Sequence, residues 1–132
     1  MSEGSGLHAA EALSYTMVLC ADIDVMRGFY AELLGLAVQR EVPGRYLELR
    51  AGPVTLAFRL RSRPYDGAPG DGASLQLAFR VPLDDVDLAA EQLTAAGIDL
   101  LEPVHDLADF GHRVLFFLDP EGNVVEYFAE LD

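Results

Sequence analysis

The chain has 132 residues and a 51 % hydrophobic content, enough for one packed core or two small modules that share one, and too short for a large multidomain enzyme. Nine basic residues against 22 acidic ones give a formal charge of -13, a field that opposes nucleic-acid backbones and anionic membranes and favours a cationic ligand. A single cysteine, Cys20, excludes an internal disulfide and a multi-cysteine metal cluster, and no apolar run reaches the roughly 18 residues of a membrane span.

Residues 1–12 read as a flexible leader, because Met1-Ser2-Glu3-Gly4-Ser5-Gly6 lacks the basic-then-apolar order of a signal peptide. With the lone cysteine, this predicts a cytoplasmic protein. Leu13 to Leu19 is a predicted strand, and its alternation makes Cys20 a buried structural thiol. Asp22 and Asp24 mark a helix start, after which Val25/Met26, Phe29/Tyr30 and Leu33/Leu34 fall on one apolar side and Gly35 ends the helix. Strands follow at Leu36–Val42, Arg45–Arg50 and Val54–Leu60, turned at Pro43-Gly44 and Gly52-Pro53, and complete a first module over 13–63. Residues 64–73, rich in Gly, Pro and Asp, read as a linker.

The plan then repeats over 74–132. Leu75 to Val81 is a strand, Asp84 is placed to cap a helix, and Val86, Ala89/Ala90, Leu93 and Ala96 form its apolar side before Gly97 stops it. Strands near Ile98–Pro103, Arg113–Asp119 and Asn123–Ala129 close the module. Asp119-Pro120-Glu121-Gly122-Asn123 has the composition of a tight turn, so Asp119 and Glu121 are assigned to shape and not to chemistry. The predicted fold is α+β: tandem β-α-β-β-β modules, each with one sheet face beneath a helix, the other faces forming a curved mixed-sheet groove.

Asp22 ahead of Phe29-Tyr30 and Leu34-Gly35-Leu36 forms one motif, and Leu77-Ala78-Phe79 ahead of Asp85 and Gly97 forms a second. With Gly111-His112-Arg113 ahead of the Asp119–Asn123 turn and Glu126, these resemble the vicinal-oxygen-chelate superfamily. That superfamily includes glyoxalase I, extradiol dioxygenases, fosfomycin-resistance enzymes and bleomycin-resistance proteins. The resemblance runs from about Leu13 to Phe128. Its metal-using branches place one ligand on each of four strands, and those positions carry Tyr15, a residue near Leu56, Gln76 and Glu126. Only Glu126 is a usual ligand, whereas a mid-row divalent cation needs several imidazole or carboxylate groups together. His8, His105 and His112 are too scattered to replace them. The resemblance therefore implies a site with no metal, no other cofactor and no catalytic residue, closest in character to the antibiotic-binding members.

Strand parity then predicts the groove lining, taking Tyr15 as its marker. Met17 joins Tyr15 from the first strand; Leu56, Phe58 and Leu60 come from the fourth; Gln76, Ala78 and Arg80 come from the fifth; and Val124, Glu126 and Phe128 come from the last. Tyr46 and Glu48 add a rim. Glu126 is an anion for a cationic ligand, a general base, or a partner of Arg80 or Arg113. His105 and His112 border a loop from which His105 can reach a ligand, and Phe58, Tyr46, Phe110 and Phe128 are placed to stack a planar one. The implied function is non-catalytic binding and sequestration of a hydrophobic, aromatic or cationic small molecule, an antibiotic or another natural product. The implied assembly is a homodimer whose grooves are shared between chains, with no nucleic-acid or membrane partner. The alternative is a metal-independent isomerase, cyclase or lyase in which Glu126 or His105 moves a proton.

Overall fold

The computed structural model describes residues 10–67 and 75–131, and the chain divides into two compact units, Met1–Gly67 and Ala68–Asp132. In the first unit β1 (Tyr15–Cys20) leads to helix α1 (Ile23–Arg27), a π-helical turn (Gly28–Leu33), and strands β2 (Ala37–Val42), β3 (Tyr46–Ala51) and β4 (Val54–Leu60). In the second, β5 (Gln76–Arg80) leads to helix α2 (Asp85–Ala95) and strands β6 (Leu100–Leu107), β7 (His112–Leu118) and β8 (Val124–Glu130). The sheets are ordered β1-β4-β3-β2 and β5-β8-β7-β6, with β1 parallel to β4, β5 parallel to β8, and every other pair antiparallel. These are the two predicted β-α-β-β-β modules.

The first helix begins as the sequence predicts, with the Val25 amide donating to the Asp22 carboxylate at 3.1 Å. It does not stay a regular α-helix. The Leu34 amide donates to the Phe29 carbonyl at 3.0 Å, five residues back, so the last turn is wide. Ile23, Met26, Phe29 and Tyr30 are buried, while Val25 and Leu33, expected on the apolar side, are 46 % and 40 % exposed. Gly35 closes the turn at φ +80°, a conformation open to glycine and costly for a side chain.

Helix α2 buries Val86, Ala89 and Leu93 of the predicted stripe, while Ala90 is half-buried and Ala96, past the last helical turn, is exposed. Asp84 stands at its N-terminus with helical dihedrals and makes no side-chain cap bond, so the predicted capping role is not realised. Beneath α1 lie Val18, Cys20, Leu47, Leu49, Leu56 and Phe58, and the Phe58 ring is 4.9 Å from that of Tyr30. Cys20 is fully buried, as expected of a structural thiol. In the second unit Tyr127 meets Phe117 and Phe79 edge-on at 5.6 and 6.0 Å, and Val125 and Leu115 are fully buried.

Residues 1–9 of the predicted leader and 68–73 of the predicted linker lie outside the described residues. The described part of that linker is a built turn. Asp66, 5 % exposed, accepts both guanidinium nitrogens of Arg59 at 2.8 Å and the amides of Ser62 and Arg63 at 2.9 and 2.8 Å. No helix among the described residues is long and apolar enough to cross a membrane.

Candidate functional site

Each helix covers one face of its own sheet, so the candidate binding residues belong on the other face. In the first unit the strand registers define that face as rows across β1, β4 and β3. Tyr15 aligns with Thr55 and Arg50, Met17 with Ala57 and Glu48, and Leu19 with Arg59 and Tyr46. Tyr15 and Met17 are 44 % and 41 % exposed, in keeping with an uncovered face.

Leu56, Phe58 and Leu60 were expected on this face and belong to the opposite one. Their register partners on β1 are Thr16, Val18 and Cys20, which point toward α1. A one-residue error in a strand reverses every side chain. The physical consequence is plain at Phe58, which is fully buried against Tyr30. Ala57, one residue beyond Leu56, is the β4 residue beside Met17 and Glu48.

Glu48 is the polar centre of this face, only 3 % exposed. Its carboxylate accepts the Tyr46 hydroxyl at 2.5 Å and the Gln39 amide at 3.0 Å, while Gln39 also reaches the Thr55 hydroxyl at 3.4 Å. Gln39 reaches inward because β2 carries a register shift between Val38 and Arg40 that leaves it without a ladder partner. Donation from Tyr46 and then from Gln39 holds the Glu48 carboxyl below its ordinary range despite burial, with Arg40 and Tyr15 adding to the effect. Burial and the same bond push the Tyr46 phenol up to about 12.

This pair sets a pH window. A depressed carboxyl stabilises the fold above its unfolded value of about 4.3, and that contribution is lost as pH falls through the lower folded value. A raised phenol stabilises below its unfolded value of about 10, and that contribution is lost as pH rises through the folded one. Tyr46→Phe is therefore expected to flatten the alkaline limb of a thermal-stability profile and to lower the plateau between pH 5 and 9. An unchanged alkaline limb would show that Tyr46 does not supply it.

In the second unit the uncovered face carries Gln76, Ala78 and Arg80 on β5 and Val124, Glu126 and Phe128 on β8, as parity predicts. Gln76 donates its amide to Glu126 at 2.9 Å. Arg80 is exposed, and no ion pair joins it to Glu126 among the described residues. Phe116 on β7 aligns with Glu126 and belongs to the same face. It was missed, although its alternation with Val114 and Leu118 carried the signal.

Arg113 is a second correction. It alternates with His112 and Val114 on β7 and so points to the helix side, where it pairs with Asp106 at 2.8 Å and approaches Asp87 of α2 at 4.0 Å. It is thus unavailable to Glu126. His105 sits on the edge strand β6, hydrogen-bonded through Nδ1 to the Pro103 carbonyl at 2.8 Å, and lines a concavity of about 340 Å³ with Asp87, Asp106 and Arg113.

Phe110 belongs to a ladder of rings. It is 70 % exposed in the β6–β7 turn and stacks on His112 at 6.5 Å, which in turn stacks on Phe128 at 4.6 Å, both at 28°. Glu130 approaches His112 Nε2 at 3.5 Å. The outermost ring is therefore open while the inner two hold its support in place.

Two mixed sheets, each carrying one helix and one uncovered polar–aromatic face, define a scaffold of the paired-module class, compatible with small-molecule binding. The profile of the Glyoxalase/Bleomycin resistance protein/Dioxygenase superfamily matches residues 12–127, and the chain belongs to that superfamily. Among solved structures, a glyoxalase/bleomycin resistance protein/dioxygenase from Nocardioides is similar at 23 % identity and TM-score 0.76, over 94 % of this chain and 86 % of that one. A lactoylglutathione lyase from Agrobacterium tumefaciens is similar at 22 % identity and TM-score 0.73, over 92 % and 95 %. A fosfomycin resistance protein from Mesorhizobium loti is similar at 17 % identity and TM-score 0.68, over 92 % and 93 %. At these identities the likeness concerns the fold. None of the curated proteins matches.

A resident metal does not fit these side chains. The four positions that the superfamily resemblance points to carry a phenol at Tyr15, Ala57 beside Leu56, an amide at Gln76, and one carboxylate, Glu126, to which Gln76 already donates. No group of three or more His, Cys, Asp or Glu side chains able to hold a metal occurs among the described residues.

Proposed function

We propose that this protein binds and sequesters an aromatic or hydrophobic small molecule, an antibiotic or other natural product, without transforming it. The observation that carries this reading is the exposed ring ladder Phe110–His112–Phe128 beside the Gln76–Glu126 pair. A flat ligand gains stacking area on Phe110 at little ordering cost, because the supporting rings are already packed. Gln76 and Glu126 add a donor–acceptor pair that fixes orientation, the arrangement expected of a mainly apolar site with a few polar anchors. Within the first unit, Tyr15 and Met17 offer exposed apolar area of their own. The reading includes a homodimer in the cytoplasm and a ligand that is aromatic or cationic.

Native mass spectrometry of gently purified protein, followed by identification of anything released on denaturation, tests cargo and stoichiometry together. An intact organic molecule bound to a dimer is the expected result, and a monomer would remove the dimer from the proposal. Against the ligand so identified, Phe110→Ala is expected to weaken binding by about 2- to 12-fold, the worth of one aromatic pair. Because Phe110 is exposed, its loss should leave the melting temperature nearly unchanged. The superfamily also contains lyases, and Glu126 has the chemistry of a base. Consumption of the ligand with turnover abolished in Glu126→Gln would establish a metal-independent isomerase, cyclase or lyase instead.

A further inference from the structure

All nine basic residues are arginine, and seven of them lie in the first unit, against eight acidic residues there; the second unit sets two arginines against fourteen acidic residues. The negative charge of the chain is thus a property of its second half. In the first, Arg45, Arg59 and Arg63 line a single concavity of about 380 Å³ together with Tyr46 and Ser62.

The frame of this concavity is fixed by the backbone. The Arg45 amide donates to the Val42 carbonyl at 3.0 Å, and the Leu60 amide donates to the Arg45 carbonyl at 3.4 Å. On the other side, the Arg63 amide is held by Asp66 at 2.8 Å. Asp66 is already engaged, since its two oxygens accept the Arg59 guanidinium and two backbone amides. Glu48 is likewise engaged, because Tyr46 and Gln39 donate to both of its oxygens. Arg45 and Arg63 have no ion-pair partner among the described residues. Two exposed guanidinium groups therefore flank a third that is locked in place, with the local carboxylates satisfied.

We propose that this concavity binds the oxyanion of a small organic molecule, a carboxylate or a phosphate. Planar guanidinium forks match both anions, with each N–H···O⁻ bond stronger than its neutral counterpart. Val42 and Leu60 supply an apolar flank for the body of the molecule. This site lies wholly in the first unit, and it stands whether or not the ring ladder of the second unit sequesters a ligand.

Isothermal titration of the intact protein at low ionic strength, with phenyl phosphate, benzoate and neutral benzyl alcohol as probes, tests this directly. Saturable one-to-one binding of at least one anion is expected, weakening as salt is added, with no binding of benzyl alcohol. Whichever anion binds more tightly identifies the headgroup. The double variant Arg45→Gln/Arg63→Gln is expected to lose at least about tenfold in affinity, while Arg45→Lys/Arg63→Lys should lose less because the charge remains. Arg27→Gln, which removes an arginine paired elsewhere with Glu32 and Glu41, should stay within about twofold. Absence of saturable anion binding, equal binding of benzyl alcohol, or an unchanged affinity in the folded double glutamine variant would overturn the proposal.

Discussion

Phe58→Ala is expected to lower the free energy of unfolding by about 3–5 kcal/mol, the range for deleting a buried aromatic ring. Phe58 is fully buried, and its ring lies 4.9 Å from that of Tyr30, itself fully buried and 5.1 Å from Phe29. Removing it leaves a void between sheet and helix. The π-helical turn carries Phe29 and Tyr30, whose rings pack in this cluster, so it should loosen with the loss. Met17→Ala, on the uncovered face, is expected to change stability by less than about 1 kcal/mol. Urea denaturation of both variants measures the contrast. A small loss at Phe58 would return that residue to the ligand-contacting face and reverse the parity of β4.

The β4 parity error shows where sequence reasoning stops. Alternation within a strand is legible, since apolar and polar residues trade places every second position. The register between strands is not, because nothing local says that Tyr15 faces Thr55 and not Leu56. On β5 and β8 the positions that the superfamily resemblance assigned, Gln76 and Glu126, set the parity, and the predicted faces agree with the observed ones. Arg113 failed for a related reason. Its charge drew it toward Glu126, although its position between His112 and Val114 already placed it on the other side of β7.

Gln39 and the arginine concavity were hidden more deeply. Gln39 reaches Glu48 through a register shift in β2, and bulges leave little trace in a strand of ordinary composition. Arg45, Arg59 and Arg63 are brought together by a turn and by Asp66, which the sequence placed in a linker. By contrast, the fold itself was legible at low resolution, because two amphipathic helices ended by Gly35 and Gly97 bracket strands of similar number and length. Helix geometry was less so: a π-helical turn and a regular α-helix share nearly the same apolar spacing over six residues.

Asp119→Ala is expected to cost about 2–4 kcal/mol, from the loss of charge-assisted hydrogen bonds to a buried carboxylate. Asp119 is 4 % exposed and accepts the Glu121 and Asn123 amides at 2.9 Å each and the Asn123 side chain at 2.8 Å. Its own backbone amide and carbonyl bond to Asn123 and Gly122 at 2.9 and 3.0 Å, with Gly122 at φ +88°. Alanine keeps the backbone pair and strands the side-chain donors, including Asn123, which is 7 % exposed. The effect should reach function through register, since this turn aligns β7 with β8 and so sets Phe116 beside Glu126. Ligand affinity should therefore fall together with stability. In the double variant Asp119→Ala/Asn123→Ala the stability loss should be less than the sum of the two singles, because the second substitution removes a donor that the first left unpaired. Additive losses would show that Asp119 holds the turn through the backbone amides alone.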